Sequence, residues 1–284
     1  MSSTNQTSKG MFCMTSDNFE KMLSVMSPLV LLAIWEAAAL FGWLDVRFFP
    51  SPTAIFAGLW HMLISGELWE HVSISIARIV IGFIAGAIPG VIIGLAMGMS
   101  PKLRAIIQPL VHATFPIPKV AILPLLILIF GMGEMSKYAI IALSVIYMAL
   151  INAYEGVRDI PPIYMDVGDN FGANRKMMFW DVALPGAMPA IMAGLKLGMG
   201  VALLVIVAAE FVGAKSGIGY LIWNSWQIFE VEKMYVGLMV TAILGFATAA
   251  LFNYMERVLI PWRKGPHVAR HAARKTPKPD TSVG

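Results

Sequence analysis

Six apolar stretches divide the chain, running approximately Met22 to Trp43, Ser73 to Met99, Ile106 to Gly131, Ser136 to Tyr154, Ala187 to Gly213 and Met234 to Pro261. Each approaches or exceeds the roughly 20 helical residues that cross a hydrocarbon layer about 30 Å thick. The pattern predicts an all-α membrane protein with six transmembrane helices. The first stretch follows about twenty polar or mixed residues, and no small-x-small site precedes a polar mature start, so it reads as a retained helix and not a signal peptide. The expected organisation is a leader over residues 1–21, a membrane domain over 22–263 and a basic, disordered tail over 264–284.

Six spans put both termini on one side, and the loops then divide unequally in charge. One side holds 14 Lys and Arg: Lys9, Lys21, Lys102, Arg104, Arg158, Arg175, Lys176, Arg257, Arg263, Lys264, Arg270, Arg274, Lys275 and Lys278. The other holds 4, Arg47, Lys137, Lys215 and Lys233, while Arg78, Lys119 and Lys196 fall within spans. The positive-inside rule therefore places both termini in the cytoplasm. On this reading the net charge of +4 is a topology signal, and the tail is a solvated anchor with no nucleic-acid role.

Composition narrows the class further. A hydrophobic fraction of 58% with 13% charged residues exceeds what an ordinary water-soluble chain carries, and it excludes disorder throughout. The single cysteine, Cys13, has no partner for an intrachain disulfide, and no Cys-rich metal site is possible.

Within the second stretch, Gly82, Gly86, Gly90, Gly94 and Gly98 recur at every fourth position and lie nearly along one helix face. Such a row lets another backbone approach closely, either within the chain or at a subunit interface. Gly194 and Gly198, with Ala202, repeat the device in the fifth stretch. The third stretch contains Pro109, Pro116, Pro118 and Pro124, which disfavour straight helix and point to a core helix lining a path. Lys119 lies among them, either as a path residue or paired with carbonyls that the prolines free. Arg78 and Glu210 fall at similar depth and read as a structural ion pair or as substrate contacts. Glu36 and Lys196 snorkel or pair.

Between the fourth and fifth stretches the loop 155–186 reads as a helix, a bend and a second helix. Asp159 is an expected N-cap, Gly172 an expected left-handed bend, Asn174 the cap of the second helix and Pro185 its stop. A compact element tied to two spans suits docking against a cytoplasmic partner.

Asp166, Gly172, Val182, Leu184 and Pro185 match the spacing of the glutamate-alanine-alanine loop of ABC importer permeases. The chain resembles the permeases that serve nitrate, sulfonate, taurine, bicarbonate and related substrates. Further agreement lies at Phe49-Pro-Ser-Pro52, His71 to Gly82, Ile117-Pro-Lys119 to Pro124, Phe130 to Lys137, Gly156-Val-Arg158, Ala209-Glu210 and Gly217 to Ile222. One departure stands out: Asp166-Val167-Gly168 replaces Glu-Ala-Ala, with weaker helix formers.

The resemblance implies the type I importer permease fold with a cytoplasmic coupling helix. It assigns ATPase docking to Asp159, Asp166, Gly168, Gly172, Ala173, Leu184 and Pro185. Arg78, Lys119 and Glu210 become translocation-path candidates. The implied partners are a cytoplasmic ABC ATPase dimer, a second permease copy in a homodimer, an extracytoplasmic solute-binding protein and the lipid of a bacterial inner membrane. The chain itself would be non-catalytic and without cofactor or metal, ATP and Mg being bound by the ATPase. In agreement, no G-x-x-x-x-G-K-[ST] loop, H-E-x-x-H or serine-nucleophile elbow is present. The main rival is an ion-gradient-driven secondary transporter, for which matching interrupted segments of an inverted repeat are wanting.

Overall fold

The computed structural model describes residues 7–262, and no strand occurs among them. Residues 1–6 of the leader and the tail at 264–284 lie outside the described residues. In order, the helices are α1 (Thr7–Leu40), α2 (Pro52–Ser65), α3 (Glu67–Met99), α4 (Pro101–Thr114), α5 (Leu123–Phe130), α6 (Glu134–Arg158), α7 (Pro162–Asn170), α8 (Arg175–Met177), α9 (Leu184–Phe211), α10 (Ile218–Gln227) and α11 (Val231–Leu259). They form two compact units, one taking in residues up to His71 with Leu221–Val240, the other Val72–Tyr220 and the chain from Thr241 on.

Among the described residues, four helical runs are long and apolar enough to cross a membrane: α3, α6, the run Arg175–Phe211 and α11. A fifth candidate is the pair 101–114 and 119–130, which qualifies only when its two parts are taken together across an 88° bend. The expected third helix over 106–131 is therefore broken. Pro109 is absorbed inside α4 and Pro124 in the first turn of α5, so the break falls to Pro116 and Pro118. The first expected span falls within α1, a 34-residue helix, and its fully described apolar part is Met26–Leu40. Two helices escaped the sequence reading, α2 and α10. The first has a legible start, with Ser51 accepting from the Ala54 N–H at 3.3 Å and Pro52 in the first turn.

In the first unit, Glu36 of α1 accepts from the Thr53 hydroxyl at 2.8 Å and the Thr53 N–H at 3.0 Å. This resolves its role as pairing across to the start of α2. Lys233 bridges Glu230 at 3.0 Å and Glu67 at 3.5 Å.

In the second unit α6 is central, with Ile140, Ile141, Val145, Ala149 and Ala153 fully buried. The glycine row of α3 faces it. A methyl group added at Gly90 would lie 2.7 Å from the Ile146 carbonyl oxygen and 2.8 Å from Ala149 Cβ, and one at Gly82 would lie 2.6 Å from Ile141 Cβ. At Gly98 the neighbour is Val157, at 2.5 Å. The facing residues advance together from Gly82 to Gly98 and from Ile141 to Val157, so α3 and α6 run parallel. The bent pair between them must then return the chain across the bundle. Helix α9 runs antiparallel to α6, Gly194 facing Asn152 and Gly198 facing Val145. Lys196 of α9 donates to Asn253 of α11 at 2.5 Å, which fixes its role as pairing.

The row predicts a steric asymmetry. Gly86, whose missing Cβ would overlap the backbone of Ala142, should not tolerate Leu, whereas the neighbouring exposed Ala85 should. We expect Gly86→Leu to cost about 3 kcal/mol, roughly 10 °C in the melting temperature of detergent-purified protein. Ala85→Leu should shift it by under about 2 °C. Equal melting temperatures for the two variants would remove the close approach of α3 and α6.

Candidate functional site

Three constellations in the second unit answer to the sequence expectations, and the first is the loop between α6 and α9. Asp159 is not an N-cap: it ends α6, its N–H donating to the Glu155 carbonyl at 2.9 Å. The reason lies in Pro161-Pro162, since a residue before proline is held extended and the next helix cannot start until Pro162. Helix α7 then ends at a left-handed Gly172 with φ +72°, whose N–H donates to the Asp169 carbonyl at 3.0 Å. The Ala173 N–H returns to the Gly168 carbonyl at 2.9 Å, a C-cap that the glycine conformation permits. Asn174 caps α8, its Oδ1 accepting from the Met177 N–H at 2.9 Å.

Pro185 does not stop the second helix. A π-helical turn over Met178–Ala183 carries the chain into α9, with the Leu184 N–H donating to the Phe179 carbonyl five residues back. The widened turn accommodates the proline ring in the first turn of α9, where its missing N–H leaves no gap.

Asp166 is exposed on α7, and so are the apolar Ile163, Tyr164, Val167 and Phe171, the last at 87%. A groove of about 810 Å³ lies along this loop, walled by Ile160, Pro161, Tyr164, Phe171, Pro185 and Trp262. A second, of about 610 Å³, is more polar and is lined in part by Lys102, Asp169, Ala173 and Arg175. The departure at Gly168 has a local counterpart, because a Cβ there would come within 2.7 Å of the Met178 methyl. Leu184 is half-buried at the start of α9.

At the opposite end of the same bundle, Arg78 and Glu210 meet. Arg78 Nη1 donates to Glu210 Oε1 at 2.8 Å and to the Ser216 carbonyl at 2.7 Å, while Nε and Nη2 grip Glu134 at 2.5 and 2.6 Å. Glu210, 1% exposed, also accepts from the Gly219 N–H and the Ser75 hydroxyl, each at 2.8 Å. Ser75 Oγ in turn accepts from the Ile218 N–H at 2.8 Å. Lys137 stands 3.6 Å from Glu134 and donates to the Gly133 carbonyl at 3.1 Å. The cluster is charge-balanced, two cations against two carboxylates, and ties α3, α6 and α9 to the loop before α10. A Cβ on Gly217, at φ +120°, would collide with the Glu210 carboxylate, so the loop follows that side chain closely. Glu134, Lys137 and Ser75 were not recognised as partners from sequence. Glu134 precedes the apolar block at Ser136 and looked like a loop residue.

Lys119 sits at the 88° bend. Its ammonium donates to the carbonyls of Thr114 at 2.9 Å and of Phe115 and Ile117 at 3.0 Å, satisfying the end of α4. It lies 4.2 Å from the centre of the Tyr147 ring, whose hydroxyl donates to Thr114 Oγ1 at 2.9 Å. All three N–H groups are thus spent on backbone, the alternative that the prolines made available.

Residues 78–262 match the model of the family described as binding-protein-dependent transport system inner membrane component. The putative aliphatic sulfonates transport permease protein of Escherichia coli is 35% identical over 85% of this chain and 92% of its own length. The taurine transport system permease protein of the same organism is 31% identical over 84% of this chain and 89% of its own. Among solved structures, an inward-facing methionine ABC transporter chain superposes with a TM-score of 0.55 at 19% identity, covering 65% of this chain and 92% of that one. The chain belongs to the binding-protein-dependent inner-membrane permeases and is the permease component of an ABC importer.

The buried cluster predicts a graded response to neutralising its acids. Glu210→Gln removes the fully buried carboxylate partner of Arg78 and should cost about 3 kcal/mol, near 10 °C in melting temperature. Glu134 has a side chain 47% exposed, so water can replace it. Glu134→Gln should cost about 1 kcal/mol or less. A Glu134 variant less stable than the Glu210 variant would reverse the assigned importance of the two contacts.

Proposed function

We propose that this permease works as a homodimer with six spans per chain and both termini in the cytoplasm, coupled to two cytoplasmic ATPases through α7. An extracytoplasmic binding protein delivers a small anion of the sulfonate or taurine class. The permeases similar to it that are named for aliphatic sulfonates and taurine support this substrate class. The chain itself is non-catalytic and carries no cofactor, ATP and Mg being held by the ATPase. The observation that carries the coupling assignment is the exposed apolar face of α7, capped by a left-handed glycine and set on α6 and the run into α9. Closure of the ATPases on ATP would then pull α7 as a lever and rock the spans, and release of ADP and phosphate would reset them. Asp159, Asp166, Gly168, Gly172, Ala173, Leu184 and Pro185 make up the docking element.

For orientation, the 14-to-4 distribution of Lys and Arg supports cytoplasmic termini. A reporter fused after Gly284 should be active in its cytoplasmic form, and one inserted near Glu67 or Gly217 in its exported form. An exported carboxyl terminus would end the six-span arrangement.

For coupling, Gly172→Val places a β-branched residue at φ +72°, a strain of about 1–3 kcal/mol. In proteoliposomes holding the chain, its ATPase and its binding protein, we expect ATP-dependent uptake of radiolabelled sulfonate, reduced about tenfold or more by this change. Unaltered stimulated hydrolysis and co-purification with the ATPase would show that the loop is not the coupling element. Uptake by the chain alone under an ion gradient would instead favour a secondary transporter.

A further inference from the structure

We infer that the bend at Phe115–Pro118 lines a water-filled constriction at mid-depth of the membrane, where Lys119 supplies an uncompensated positive charge that selects anionic solutes. The inference rests on the permease reading above and adds to it a place and a charge preference.

Depth comes first. Tyr147, whose hydroxyl bonds Thr114, stands near the middle of the 25-residue α6, about 17–20 Å from either end of that helix. The bend packed against it therefore lies at the centre of the hydrocarbon layer. At that level irregular backbone does not face lipid; it is covered by protein or lines a water-filled cavity. Yet every residue from His112 to Pro118 is exposed in the chain.

Charge then separates the two remaining surroundings. Lys119 has no carboxylate partner among the described residues, unlike Arg78 and Lys137. Its ammonium is held by three carbonyls and the Tyr147 ring, which orient it without cancelling its charge. In a dry contact between two copies involving this bend, each would bring one such charge into the interface, with no counter-ion among the described residues. Water between them relieves that repulsion, and a passing anion relieves it more. With every N–H already donated, the lysine cannot also grip the solute, so the site attracts without a deep well. Phe115 and Ile117, 40% and 45% exposed, offer apolar walls beside the charge.

The test uses the importer assembled in proteoliposomes, in a chain whose Cys13 is replaced by Ser. Ile117→Cys probes the bend, and Leu128→Cys, 82% exposed on α5, serves as the lipid-facing comparison. Each is treated with a negatively charged water-soluble methanethiosulfonate, its trimethylammonium counterpart and a lipid-soluble maleimide, with rates normalised to a free thiol. We expect Ile117→Cys to react about tenfold faster with the anionic than with the cationic reagent. That preference should disappear when Lys119→Met is added. Reaction with the lipid-soluble reagent alone would place the bend against lipid, and no reaction with any reagent would place it in a dry protein contact; either overturns the inference. Equal rates for the two charged reagents would overturn the charge selection. ATP-dependent uptake is measured on the same vesicles. A Cys13→Ser chain that fails to transport with its ATPase and binding protein would count against the permease reading, whereas a transporting chain with lipid-facing Ile117→Cys would count only against the constriction.

Discussion

A backbone N–H or C=O shut away from water needs a partner, and three irregularities of this chain each carry a visible answer to that constraint. Where Pro116 and Pro118 break the third span, the Lys119 ammonium takes up three carbonyls. At Pro185 a π turn lets the ladder pass without the missing donor. The first turn of α10 offers the N–H groups of Ile218 and Gly219, which go to Ser75 and Glu210. No buried side-chain nitrogen or oxygen among the described residues lacks a hydrogen-bond partner. The polar side chains inside the bundle are thus accounted for mainly by the backbone they complete.

The same constraint explains why α6 is the centre of its unit. A row of glycines brings α3 close to the backbone of α6, and Gly194 brings α9 close on another side. Close approach replaces the hydrophobic driving force that is absent between helices in lipid, leaving packing and hydrogen bonding to hold them. Its two ends differ in chemistry. One carries a charge-balanced cluster that is largely dry, the other an exposed loop with apolar side chains and several basic residues.

Much of this was legible in the sequence because it depends on local rules. Length and hydropathy located the helices of the bundle, glycine spacing located the α3 contact, and Gly172 and Asn174 announced the bend and the cap. The failures share a different origin. Asp159 looked like an N-cap because its own propensity is that of a cap, but the following proline pair moved the helix start. Pro185 looked like a stop because a π turn has no signature in residue type. Glu134 was invisible as a partner of Arg78 because the two are brought together only by the packing of α3 on α6.

A clamp at one end has a mechanical consequence for a chain that must change shape. Arg78 holds carboxylates from two helices besides its own, and Glu210 holds two further backbone or hydroxyl donors, so separating any one helix at that end would strand buried charge. Losing one partner of such a pair costs several kcal/mol, more than thermal motion supplies repeatedly. Under the proposed coupling, helices α3, α6 and α9 would therefore move together there, and a displacement applied through α7 at the other end would be transmitted as a tilt of the group rather than dissipated within it. The bend at Lys119 is bound to that group through Tyr147 of α6, so the constriction inferred at mid-depth would travel with the lever.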